Sequence, residues 1–75
     1  MKVTLTATTG TTILVWHQNE MFYARPTDAM SEAQICLPID LFEVIAELAG
    51  LDLEDDSQSA EAVGMAVQAQ QRLAA

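Results

Sequence analysis

The hydrophobic pattern of this chain changes period once, near residue 38, and that change limits what the chain can fold into. Before it, apolar residues recur at every second position: Val3, Leu5 and Ala7 alternate with Lys2, Thr4 and Thr6. That is the pattern of a half-buried strand. After it, Leu41, Val44, Ile45 and Leu48 fall at i, i+3, i+4 and i+7, one face of a helix. Strands that come first and helices that come second predict an α+β domain.

Short turns punctuate the first half. Thr8-Thr9-Gly10 is a turn in which Gly10 is free to take positive φ. Residues 11–17 hold Thr11, Thr12, Ile13, Val15 and Trp16, a β-branched and aromatic run that predicts a second strand. Gln18-Asn19-Glu20 predicts a second turn, and Met21 to Arg25 a third strand that Pro26 stops. Residues 26–32 are polar and loop-like, and Ala33 to Leu37 form a short fourth strand with Ile35 and Cys36 on opposite faces. Short strands joined by short turns make an antiparallel meander.

The second half reads as two helices packed on one face of that sheet. The first runs from about Asp40 to Ala49. Asp40 and Glu43 stand at capping-box spacing, and Gly50 is placed to end the helix in a left-handed conformation. Leu51 to Ser59 forms an acidic linker. Ser57 or Ser59 then caps a last helix over Ala60 to Leu73, with Arg72 near its negative end. The apolar face of that helix (Val63, Ala66, Val67, Leu73) is thin, and its alanines permit close approach to another element.

Seventy-five residues make a single domain spanning 1–75. A core of this size supplies only ~3–5 kcal/mol of net stability without further help. Cys36 is the sole cysteine, so no disulfide forms within the chain. His17 and Cys36 are the only soft ligands and are not paired at ligand spacing, so neither metal nor cofactor is expected. Efficient packing, a homodimer or a partner must supply the rest. An apolar fraction of 51% is too high for a disordered acidic tail. The strand-like alternation that follows Met1 predicts no signal peptide, and no run approaches the ~20 apolar residues of a membrane span. With one free cysteine, the expectation is a cytoplasmic protein, and the start at Met1 reads as a complete small gene product.

Charge is the main functional clue. Between Pro26 and Gln71 lie ten acids, Asp28, Glu32, Asp40, Glu43, Glu47, Asp52, Glu54, Asp55, Asp56 and Glu61, and no Lys or Arg. This span carries nearly all of the net charge of −8. Such a field repels nucleic acid and anionic membranes and attracts basic surfaces. Helical spacing sets Asp40, Glu43 and Glu47 in a stripe opposite the apolar face, and Asp52, Glu54, Asp55 and Asp56 form a looser cluster.

Other sites carry weaker signals. Asp52, Glu54 and Asp56 alternate like early calcium-loop ligands, but the positions needing Gly and a bidentate Glu hold Ser57 and Val63. A solvated linker is the better reading. His17 has no nucleophile partner, since Ser31, Ser57 and Ser59 lie in loop or cap positions. Cys36 sits among apolar neighbours that make a thiol inert. Gly10, Gly50 and Gly64 are isolated and make no phosphate loop. No catalytic residue is assigned, and the chain is not expected to be an enzyme. Phe22 is expected in the core, whereas Trp16 and Tyr23 are candidate interface anchors, because Trp and Tyr are enriched at protein interfaces.

The run Gln34-Ile35-Cys36-Leu37-Pro38 followed by Leu41-Phe42-Glu43-Val44-Ile45 resembles the ribbon-helix-helix repressors. In that family the strand enters the major groove and basic residues hold the phosphates. This chain offers only Gln34 as a base-reading residue, and no Lys or Arg from 26 to 71. The resemblance thus extends to the order of elements and not to DNA binding.

Two functional expectations follow. The first is a binding protein that modulates or inhibits a target with a basic surface, such as a nucleic-acid-binding protein, through Asp40, Glu43, Glu47, Asp52, Glu54, Asp55 and Asp56, with Trp16 and Tyr23 as anchors. Duplex DNA carries one charge per ~1.7 Å, so ten carboxylates match about 17 Å of it. Phage and mobile-element products, including anti-CRISPR proteins and DNA-mimicking restriction inhibitors, are similar in character. The second is an antitoxin, immunity protein or small subunit that completes an obligate assembly, with Leu51, Leu53 and the thin last helix as its interface. Beneath both lies the plain reading that the acids keep a small protein in solution.

Overall fold

The computed structural model describes residues 1–28, 30 and 32–74. Four antiparallel strands lie in chain order: β1 (Lys2–Thr6), β2 (Thr12–Gln18), β3 (Met21–Pro26) and β4 (Gln34–Cys36). A 3₁₀ turn at Pro38–Asp40 leads into α1 (Leu41–Ala49), and α2 (Asp56–Leu73) follows. This is the meander-then-helices order that the change of period predicts. Ser31, and the part of the 26–32 loop formed by residues 29 and 31, lie outside the described residues.

Both hairpins use turns suited to the twist of their strands. At the first, the Gly10 N–H donates to the Ala7 carbonyl and the Ala7 N–H to Thr11, each at 2.9 Å. Gly10 takes φ 93°, the left-handed residue that ends a three-residue hairpin loop. At the second, Asn19 and Glu20 have φ 54° and 67°, a two-residue turn with both central residues left-handed.

Side chains alternate across the sheet. Val3, Leu5, Ile13, Val15, Phe22, Ala24 and Cys36 are buried on one face, and the register sets Val3 beside Val15, Val15 beside Ala24, and Phe22 beside Cys36. The helices cover this face. α1 packs on β2, β3 and β4, and α2 packs on β1 and β2. From α1 come Leu41, Ile45, Ala46 and Ala49, and from α2 Ala62, Met65, Ala66 and Ala69. The opposite face of the sheet carries no helix.

Three local expectations are corrected. Asp40 makes no side-chain cap for α1, because the preceding 3₁₀ turn already holds it in a helical conformation (φ −96°, ψ −2°). A capping residue needs extended backbone instead. α2 begins at Asp56, four residues earlier than expected, and its cap is Asp55 rather than Ser57 or Ser59. Its buried face is Ala62, Met65, Ala66 and Ala69, while Val63 and Val67 are 43% and 44% exposed. Two helices side by side on a narrow sheet must approach closely, so side-chain volume selects the inward face. Gly50 ends α1 as expected, at φ 73°.

Candidate partner interface

The strands contain no acidic residue, so the acids sit on turns, loops and helices. On α1, Glu43 and Glu47 are exposed and point away from the buried Leu41, Ile45 and Ala49. Asp40, half-buried at the start of α1, extends the same line. The expected stripe is therefore present on the outer surface of the helical layer. The side chains of Glu43 and Glu47 have no hydrogen-bond or ion-pair partner among the described residues.

The linker acids divide into two kinds. Asp52 accepts the Glu54 N–H at 2.9 Å and so folds its own turn. Asp55 accepts the Gln58 N–H at 3.0 Å, and it caps α2, where a negative charge also suits the positive end of the helix. The Gln58 side chain reaches back to accept the Asp52 N–H at 2.9 Å. Glu54 and Asp56 have no such duty among the described residues. Of the cluster, then, only Glu54 and Asp56 have side chains fully free for a partner.

Glu61 has a structural role that sequence reasoning missed. Its carboxylate accepts the Thr8 hydroxyl at 2.6 Å and the Thr8 N–H at 2.7 Å, across 53 residues of chain. The Thr8 hydroxyl, then its N–H, hold this carboxyl below its ordinary value. Next to Thr8, the Thr9 hydroxyl donates to the Ala49 carbonyl at 2.7 Å. The tip of the first hairpin is thus tied to both helices. No local pattern announces a bond of this kind, because its partners come together only once the sheet and helices pack.

Trp16 and Tyr23 lie elsewhere. They alternate with the buried residues of β2 and β3, so they occupy the helix-free face. Their rings stack at 5.5 Å between centroids and 7° between planes. Lys2 Nζ sits 4.5 Å from the Trp16 ring centre, within cation–π range. Ile35 stands beside Tyr23 in the register. The row Lys2, Trp16, Tyr23 and Ile35 crosses all four strands. The aromatic anchors and the acids expected to act with them therefore belong to opposite faces of the molecule.

Phe22 is buried, as expected, and His17 stacks on it at 4.6 Å, exposed at the end of its strand. Burial, then the nearby Asp40 carboxylate, push the Cys36 thiol up, which disfavours the reactive thiolate. Among the described residues there is no cavity and no grouping of three or more His, Cys, Asp or Glu side chains fit to hold a metal ion. Among the described residues no helix is long and apolar enough to cross a membrane. No protein-family model, curated protein or solved structure matches the chain.

Proposed function

We propose that this chain is a non-catalytic binding protein whose helical layer docks on a basic protein surface. The target class that fits is a nucleic-acid-binding protein, and the effect of docking is to modulate or inhibit it in the cytoplasm. The observation that carries this reading is the segregation of charge. Every strand is free of acids, whereas Glu43, Glu47, Glu54 and Asp56 present unengaged carboxylates on the helices and linker. Complementary charge steers association and selects partners more than it adds affinity. The surface supports a compact acidic footprint better than a long duplex mimic, because Asp52, Asp55 and Glu61 are held by bonds within the fold.

Affinity capture at low and high salt tests it, with a variant carrying Glu43→Lys, Glu47→Lys and Glu54→Lys as the comparator. These three positions leave the cap and the hairpin clamp intact. The expected result is a basic protein retained at low salt by the native chain, released at high salt and not retained by the variant. Equal retention by both chains would sink the reading.

A second reading is a subunit of a larger assembly; Leu51, expected at its interface, is buried in the core, and the observation that favours the reading is the helix-free face with Trp16, Tyr23 and Ile35. Association through that face resists salt and survives the triple reversal, but is lost in Trp16→Ala.

A further inference from the structure

The two edges of the sheet are guarded differently. β1 carries Lys2 with Thr4 and Thr6 on its exposed side, and a lysine is one of the common devices against strand addition. β4 is the other edge, paired only with β3. It holds no charge and no proline within Gln34–Cys36. Ile35 on β4 and Leu37 just beyond it are 58% and 52% exposed, and Ile39 in the following 3₁₀ turn is 76% exposed. The Leu37 carbonyl is taken by the Asp40 N–H, so the free edge is a short one along β4 and up to the Leu37 N–H, and lined by apolar side chains it can template another strand.

Charge indicates the occupant. Glu32, exposed, precedes β4 and the half-buried Asp40 follows it, so a strand laid along this edge lies in a negative field. α1, with Glu43 and Glu47, is the helix that covers β4. A second copy would bring another net charge of −8 to the same place, which opposes pairing. A strand with alternating apolar residues and Lys or Arg at its ends satisfies both the edge and the field.

We infer that the free edge of β4 receives an extended, basic-ended segment of the target protein, which adds as a fifth strand. This rests on the proposed docking to a basic protein and says how that protein is gripped. Main-chain bonds supply affinity, Ile35 and Leu37 supply side-chain contacts, and the flanking acids select the basic ends.

The probe is a labelled peptide, Lys-Val-Thr-Val-Thr-Val-Lys, with a Glu-ended version and a version with proline at its centre as controls. Leu37 has φ −69° and ψ 156°, so Leu37→Pro fits the native backbone while removing an edge N–H and an apolar contact. The expected results are binding of the Lys-ended peptide alone, with amide shifts centred on residues 34–37. Leu37→Pro should weaken binding by about tenfold, comparable to the loss of one net hydrogen bond, with the unfolding temperature unchanged.

Equal binding of the proline-centred peptide, or shifts confined to α1, overturns edge addition. The second of these leaves the acidic-face reading standing. A free protein that sediments as a dimer and dissociates in Leu37→Pro assigns the edge to a second copy and overturns the proposal. If the triple Lys variant still captures the basic protein while Leu37→Pro does not, the edge holds and the acidic-face reading fails.

Discussion

The two helices lie on the same sheet but are held by different forces. α1 is anchored by volume: Leu41 and Ile45 are fully buried, and Phe42, Val44 and Leu48 pack at the margin of the core. α2 is twice as long, 18 residues against 9, yet three of its four buried residues are alanine. Polar bonds compensate at both ends. Asp55 caps it, Glu61 clamps it to Thr8, and Gln70 Nε2 donates to the Pro38 carbonyl at 2.8 Å. A helix with a thin apolar face can dock firmly when bonds outside the core fix its position. It also leaves half of its residues exposed to solvent.

The largest test of this contrast is Ile45→Ala. Removing a fully buried branched side chain from α1 should cost about 2–5 kcal/mol, read as a lower denaturant midpoint. In α2 the opposite change is the damaging one. Ala69 is fully buried against its neighbours, and Ala69→Leu should cost about 1–3 kcal/mol by overpacking. If Ala69→Leu were neutral, the helices would not be in close contact there. Smaller again is Asp55→Ala, expected to cost about 1 kcal/mol through loss of the cap. Ser57→Ala should change little, since Ser57 is not the cap.

The subtlest test is pH. The folded pKa of Glu61 is lowered by Thr8, whereas an unfolded glutamate titrates near ~4.3. The Glu61 contribution is thus fully present above that value and is lost as pH falls through the lower folded value. Thermal unfolding followed between neutral and acidic pH should decline less steeply in Thr8→Ala than in the native chain. A carboxyl titration by NMR should place Glu61 below the value found in an unfolded peptide.

The same contrast explains what was legible in the sequence. α1 could be read because large apolar residues at helical spacing reveal their own inward face. The face of α2 is concealed in the sequence because Val63 and Val67 look more hydrophobic than Ala62 and Ala69, although packing distance selects the smaller residues. The strands were legible from alternation, and their turns from Gly10 and Asn19. The acidic stripe on α1 followed from spacing alone. The division of the linker acids, and the separation of Trp16 and Tyr23 from them, depends on which residues meet across the fold, and no local pattern encodes that.

The clamp between Thr8 and Glu61 also bears on how the protein is made. During synthesis the first three strands emerge early and can pair locally. The inner side of β1, with Val3 and Leu5, has no cover until α2 arrives. A nascent chain that ends before residue 62 therefore leaves this apolar strip uncovered, and chaperones and aggregation compete for it. Completion of the fold waits on the ribosome, because the first strand and the last helix close the structure together.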